Sequence, residues 1–376
     1  MKDIQMVDLK SQYQKIKTEV NAGIQEVIDS TSFIKGGKVI GFQHQLESYL
    51  DISHVIPVGN GTDALQIALM SLGLKAGDEV ITPTFTFIAT AEVVALLGLT
   101  PVLVDVDFET FNISIESLKK AITPKKKAIV PVHLFGQNAD MEAILAIAKE
   151  HNLFVIEDAC QSMGSVYTFS DGHQIKSGCM GDIGCTSFFP SKNLGCFGDG
   201  GAIFTNNDEL AAKMRAIANH GMVIRYHHDM IGVNSRLDSI QAAVLEVKLK
   251  HLDDYCMNRQ KAANFYDTVF ANNDKLITPT RSKQSKHVFH QYTLKLNGVN
   301  RTELQKYLAE KSIPAMIYYP VPLHLQKAYQ DVRYKAGDFP VAEKLSECVL
   351  SLPMHTELSE EQLVYITSNV LEFLNK

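Results

Sequence analysis

Four short stretches carry residue types that could do chemistry together. "SFFPSKNLG" (187–195) holds a lone lysine, Lys192, beyond an apolar run, with Thr186, Ser187 and Ser191 nearby. A lysine kept from water loses its proton more readily, and the neutral amine forms Schiff bases with carbonyls. The alternative is an ordinary surface lysine in a loop. "IEDACQS" (156–162) closes an apolar run with two carboxylates. An acid there is costly unless paired, so Asp158 is expected to have a cationic partner, such as a protonated ring nitrogen; a helix-capping acid explains the segment equally well. "PVGNGTDAL" (57–65) sets Gly59 and Gly61 between a strand and a helix, where free N–H groups and the helix dipole cradle phosphate. It also reads as a plain glycine turn capped by Thr62 or Asp63, and the Asp63 carboxylate must point away if phosphate is to bind. "PTFTFIAT" (83–90) puts Phe85 and Phe87 on one side of an extended segment. One of them is suited to stack on a flat heteroaromatic ring, with core packing as the alternative. A phosphate cradle, a carboxylate for a pyridinium, an aromatic plate and a lysine are together what pyridoxal 5'-phosphate (PLP) requires.

Such groups meet only if the elements bearing them are adjacent. Between about 55 and 210 the runs "HVIPVGN", "EVITPTFT", "PVLVDVD", "KAIVPVHLFG", "LFVIEDA", "GCTSFF" and "GGAIFTN" read as strands, several of them apolar enough for burial on both faces. Helical patterns lie between them: "TDALQIALMSLGL", and "DMEAILAIAKEHN" with Asp140 as N-cap. Alternation of this kind predicts an α/β layer fold with a mostly parallel sheet, whose ligand site lies at the carboxyl ends of the strands. A long helix is expected from near Ser235, with Leu237, Ile240, Val244 and Val247 at helical spacing. Beyond about 250 the pattern is α+β: "HQYTLKLNG" as a strand, "NRTELQKYLAEK" as a helix capped by Asn300, and "SEEQLVYITSNVLEFLNK" as a closing helix. The expected division is a large α/β domain with an N-terminal arm over 1–245 and a small α+β domain over 246–376.

The chain has 376 residues, 45% hydrophobic and 21% charged, enough for a large core. Its formal charge of -6 argues against a broad nucleic-acid surface. The six cysteines (160, 179, 185, 196, 256 and 348) form no C-x-x-C pair and no zinc-binding spacing; they read as reduced cysteines of a cytoplasmic protein, and no metal is expected. The N-terminus lacks the apolar core of a signal peptide, and "VVALLGLTPVLV" is too short for a membrane span.

The ordered set "NGTDAL", "PTFTFIATAE", "PVLVDVD", "EDACQS", "SFFPSKNLGCFGDGGAIFTN", "GVNSRLDSIQAAVL" and "YYPVPLHLQ" resembles the DegT/DnrJ/EryC1/StrS sugar aminotransferases, fold-type I PLP enzymes, over essentially the whole chain. The resemblance implies that Lys192 carries the cofactor as a Schiff base and that Asp158 partners its ring nitrogen. It places Gln161 beside the ring's 3-hydroxyl and Phe87 against the ring face. The phosphate would be held by backbone N–H groups of Thr62 and Asp63 in the turn after Gly61, and by the Ser187 hydroxyl. A homodimer with shared sites is implied, in which Asn234 reaches the neighbouring subunit's phosphate; otherwise Asn234 reads as a turn before a helix. "RYHH…GVNSRLD" is most similar to the branch acting on UDP-linked 3-keto sugars, especially the 3-oxo derivative of N-acetylglucosaminuronic acid, in surface polysaccharide biosynthesis. Arg236 would then pair with the sugar carboxylate, Arg225 and the two histidines after it with the diphosphate, and Tyr319 and His324 would line the substrate channel; a solvated or interface loop is the other reading of 225–228. L-Glutamate is the implied donor, and the cofactor would alternate with its pyridoxamine form. Other readings are an aminotransferase for a dTDP-linked 3-keto-6-deoxy sugar, a PLP-dependent sugar dehydratase, against which Lys192 speaks because such relatives carry histidine there, and a non-catalytic regulatory relative. A dinucleotide oxidoreductase lacks its G-x-G-x-x-G after the first strand.

Overall fold

The computed structural model describes residues 3–330 and 333–376. All seven expected strands form, as one mixed sheet: β1 (His54–Val58), β2 (Glu79–Pro83), β3 (Thr100–Val104), β4 (Lys126–Ile129), β5 (Phe154–Asp158), β8 (Ile183–Ser187) and β9 (Gly201–Thr205), with a hairpin of β6 (Val166–Thr168) and β7 (Gln174–Lys176) apart from it. Its order is β1-β9-β8-β5-β4-β2-β3. β9 pairs antiparallel to both neighbours while the other pairings are parallel. β5 and β8 therefore end side by side at the same edge, which brings Asp158 and Ser187 together.

Alternate residues on each strand feed cores on opposite faces. Val58, Val80, Ile156 and Ile203 pack with α3 (Gly61–Ser71), α4 (Ala89–Leu96) and α7 (Asp208–Ile217). Ile81, Val104, Ile129 and Val155 point the other way, onto α5 (Ile115–Ala121) and α6 (Met141–His151). On that same side Val55, Ala202 and Phe204 meet α2 (Gly37–Leu50) and α8 (Ser239–Leu249), and α1 (Leu9–Ser30) lies on α8 through Ile16 and Val20. Asp140 caps α6, accepting from the Ala143 N–H at 3.2 Å.

Two starts differ from expectation. The cap of α3 is Asn60, whose Oδ1 accepts from the Asp63 N–H at 2.8 Å, and neither Thr62 nor Asp63 fills that role. α8 begins at Ser239, not near Ser235: the Ser235 N–H donates to the Ala218 carbonyl and Asp238 bridges Ile34, so this stretch stays extended.

A hairpin of β10 (Met222–Ile224) and β11 (His227–His228) projects before α8. Residue 245 lies inside α8. After it, α9 (Leu252–Phe270), α10 (Arg301–Glu310) and α12 (Glu360–Leu374) cover a sheet of β12 (Leu276–Ile277), β13 (Tyr292–Leu296) and β14 (Val349–Leu352). Tyr266, Leu294, Leu350 and Ile366 form this second core, joined by Ile4 from the N-terminus. Asn300 caps α10 as expected, accepting from the Thr302 and Glu303 N–H groups. α11 (Pro340–Cys348) makes the seam, its Leu345 packing with Phe85, Phe111 and Phe135 of the large sheet's domain. No helix among the described residues is long and apolar enough to cross a membrane.

Candidate active site

At the carboxyl edge of β5 and β8 lies a cleft of about 840 Å³. Gly61, Thr62, Asp63, Phe87, Asp158, Gln161, Ser187, Lys192 and Tyr319 all line it. Residues from five separate segments thus meet because the parallel strands end together.

Asp158 is 6% exposed and takes its hydrogen bonds from neutral donors, the Thr90 hydroxyl at 2.7 Å and the Cys160 N–H at 3.2 Å. The expected cationic partner is not among its hydrogen-bonded neighbours. A carboxylate so placed has desolvation to offset, and a bound ring N–H⁺ would do so. Its neighbour Glu157 is fully buried but turns away, bonded to His133 Nε2 at 2.8 Å and to the Gly178, Met180 and Gly181 N–H groups.

Lys192 follows a tight turn in which its N–H donates to the Phe189 carbonyl at 2.8 Å. Loss of hydration lowers its pKa, while Cys160 and Asp158 pull the other way. The next residues are anchored: the Asn193 amide donates to the Val288 carbonyl, and the buried Lys248 to the Gly195 carbonyl at 2.7 Å. Burial pushes Lys248 down to about 8. Cys160 is held as a neutral thiol, pushed up by burial and then by Asp158.

The phosphate cradle takes shape at the start of α3. A Cβ on Gly61 would lie 2.8 Å from Ser187 Cβ and 3.0 Å from Cys160 Sγ, so only glycine lets β8 and its hydroxyl approach the helix end. The Asp63 carboxylate is drawn off by the Ser235 hydroxyl, at 2.5 Å. Its N–H, however, donates to Asn60 Oδ1 at 2.8 Å, so of the expected Thr62 and Asp63 donors the second is already engaged in the helix cap, while Gly61 and Thr62 stand at the helix terminus where N–H groups lack intrahelical partners. Gln161 is held at both ends, accepting from the Phe135 N–H at 2.9 Å and donating to the Tyr319 hydroxyl at 3.1 Å. The two phenylalanines separate cleanly: Phe85 is fully buried in the core, and Phe87, 57% exposed, faces the cleft. An open ring face, a buried carboxylate without an ion pair, an amine of lowered pKa and a helix end beside a hydroxyl fit PLP.

His324 corrects the sequence reading. It is buried away from the cleft, its Nδ1 2.9 Å from the Thr84 hydroxyl and its Nε2 3.0 Å from Glu343; both ring nitrogens are spent joining α11 to the end of β2. Arg225, Asn234 and Arg236 also do not reach this chain's cleft. Arg225 lies between β10 and β11, against Tyr226, and Asn234 bridges Asn219. Arg236 shares a separate hollow of about 290 Å³ with Lys35 and Arg215, and its charge helps lower the Lys35 pKa, after burial. Sequence reasoning passed over Thr90, Thr86, Tyr318, His290 and Gln291. Thr90 stood within a quoted motif, and the need of a buried acid for a donor was the available signal.

The chain matches the model of the DegT/DnrJ/EryC1/StrS aminotransferase family over residues 14–371. It is 47% identical, over 99% of its length and 98% of the relative's, to a "pleiotropic regulatory protein" of Geobacillus stearothermophilus. It is 46% identical, over 96% of its length and 98% of the relative's, to the UDP-2-acetamido-2-deoxy-3-oxo-D-glucuronate aminotransferase of Pseudomonas aeruginosa. Among solved structures it is similar to NtdA of Bacillus subtilis with bound PMP cofactor, at 32% identity and a TM-score of 0.89 over 96% of this chain and 82% of that one.

Proposed function

The chain belongs to the DegT/DnrJ/EryC1/StrS aminotransferase family, and on that premise we propose that it aminates a UDP-linked 3-oxo-N-acetylglucosaminuronate with L-glutamate as donor, in surface polysaccharide biosynthesis. It is a PLP-dependent sugar aminotransferase of fold type I. Bound PLP supplies an aldehyde to carry the amino group and a ring to accept the electrons released at the donor's α-carbon. Lys192 would hold the group and move the proton at that carbon. Asp158, fixed by Thr90, would keep the ring nitrogen protonated. Gln161, pinned by Phe135 and Tyr319, would meet the ring hydroxyl, Phe87 would cover one face, and the Gly61 and Thr62 N–H groups with Ser187 would hold the phosphate.

The observation that carries the substrate reading is the separation of charge. A UDP-uronate brings a diphosphate and a carboxylate, yet Lys192 is the one lysine or arginine among the residues lining the cleft. The basic hollow of Lys35, Arg215 and Arg236 lies elsewhere. Phe33 and Ile34, next to Lys35 in the chain, and Val223, Ile224 and Ile231, in and just after the β10–β11 hairpin, are exposed apolar side chains, which a second copy would cover. A homodimer in which the partner brings Arg236 and Asn234 to the cleft would supply a cation for the carboxylate and a neutral amide donor for the phosphate. A panel of UDP- and dTDP-linked 3-keto sugars with glutamate, read by mass spectrometry, tests this. Amination of the UDP-uronate is expected; amination of a dTDP-6-deoxy sugar alone rejects the assignment.

A further inference from the structure

The segment 287–291 sets a histidine on the cleft wall that the roles above do not use. It crosses between the two cores: Val288 belongs with Phe188 and Leu194, and Phe289 with Tyr292 and Ile313. The Val288 N–H donates to the Gly136 carbonyl at 2.9 Å. A Cβ on Gly136 (φ +103°) would lie 2.8 Å from the His290 backbone nitrogen, so the segment is pressed against that turn. From behind, the Arg259 guanidinium donates to the carbonyls of Phe289, His290 and Met354 at 3.1, 3.3 and 2.9 Å. The Asn193 amide, one residue from Lys192, donates to the Val288 carbonyl at 3.2 Å. The Lys192 loop and His290 are thereby fastened side by side.

His290 lines the same cleft as Lys192, is only 5% exposed, and its Nδ1 is buried without a hydrogen-bond partner. Leaving such an atom unpaired is costly. Burial, then the charges of Lys192 and Arg259, hold the ring far below its ordinary pKa, so it is neutral and can accept a hydrogen bond. Besides Lys192 and His290, the titratable groups lining this cleft are Asp63, Asp158, Cys160, Asp199, Tyr318 and Tyr319.

We propose that His290 is a positioning residue for Lys192: its neutral ring accepts a hydrogen bond from the lysine nitrogen, aims it, and favours its protonated form. No proton is transferred in this contact, and the N–H stays on the lysine. The inference rests on Lys192 being the lysine that carries the cofactor. It is tested on the holoprotein without substrate, by titrating the yellow absorbance of the lysine–cofactor linkage against pH. In His290→Leu the midpoint is expected to fall by about one unit, because the protonated form loses its acceptor. With saturating substrates kcat falls about tenfold while KM for the donor stays within about twofold. His290→Gln, a neutral acceptor, brings the midpoint back to within about 0.3 unit of the parent. A midpoint in His290→Leu that matches the parent, or one that moves equally in His290→Gln, overturns the proposal. Should His290→Leu not fold, His290→Ala with and without added imidazole takes its place: recovery of the midpoint supports the contact, and no recovery overturns it. Borohydride reduction separates the two failures. If the cofactor is fixed to Lys192 and the midpoints do not move, His290 alone is misassigned; if it is fixed to another lysine, the reading of Lys192 itself fails.

Discussion

In the cleft, Asp158 and Ser187 stand on the ends of adjacent strands and Lys192 follows in a turn anchored by Asn193 and Lys248. In the basic hollow, Lys35 precedes α2, Arg215 is on α7, and Arg236 lies in the extended stretch before α8. The first set is held by hydrogen bonds to neighbouring backbone. In the second, Arg236 has a 3.5 Å contact to Asn219 and otherwise two like charges for company. Three cations gathered with little to offset them favour an anion or a partner's acid. A rigid, partnered cleft suits chemistry repeated unchanged on every substrate. A loosely held cluster of charge suits recognition and is completed from outside.

The largest effect that could break this contrast is at Lys192. Lys192→Ala should abolish transamination, by a factor of at least about 10³, and leave the protein colourless after desalting; turnover near the parent rate would remove the cleft from the chemistry altogether. Arg236→Ala sharpens the other side. It should raise KM for a UDP-uronate about 10- to 100-fold, with a much smaller change for a neutral UDP-3-keto sugar, since a bidentate carboxylate contact is lost. Mixing the two variants asks whose cleft the hollow serves. In a mixed dimer one cleft would keep its own Lys192 and receive the partner's Arg236, so equal amounts should recover about a quarter of the parent activity. Recovery no greater than the sum of the separate variants would place Arg236 outside any shared site.

What was legible in the sequence follows the same contrast. β5 and β8 showed themselves as apolar runs, and the residues just past them fall where such sheets bind ligands, so Lys192, Asp158 and Ser187 could be picked out by position. Phe85 and Phe87 could not be told apart until the core claimed one of them. The cap of α3 was misplaced because Asn60, Thr62 and Asp63 are all good caps, and the choice was made by geometry. Thr90 is tied to Asp158 across 68 residues and His290 is fixed by Gly136 and Arg259; no local spacing records such contacts. His324 and His290 illustrate the limit most directly. Each follows a short apolar stretch in the C-terminal part of the chain, and only the packing of α11 and the segment 287–291 shows which of them meets the cleft.

The smallest expected effect is therefore at His324, and it separates stability from recognition. Both of its ring nitrogens bond across the seam, to Thr84 and Glu343, and Glu343 also accepts from the Gly337 N–H at 2.8 Å. His324→Leu fills similar volume but removes the ring partner of the buried Thr84 hydroxyl, which keeps only the backbone N–H of residue 324 at 3.3 Å. The loss should be about 1–3 kcal/mol, which for a chain of this length lowers Tm by only a few degrees, at about 2 °C per kcal/mol. KM for the keto sugar and for the donor should stay within about twofold of the parent, because nothing that touches substrate has moved. Thermal unfolding of the holoprotein and steady-state kinetics below the transition measure both. An unchanged Tm with a KM raised as far as in Arg236→Ala would return His324 to the substrate channel and make the seam, rather than the hollow, the place where the sugar is read.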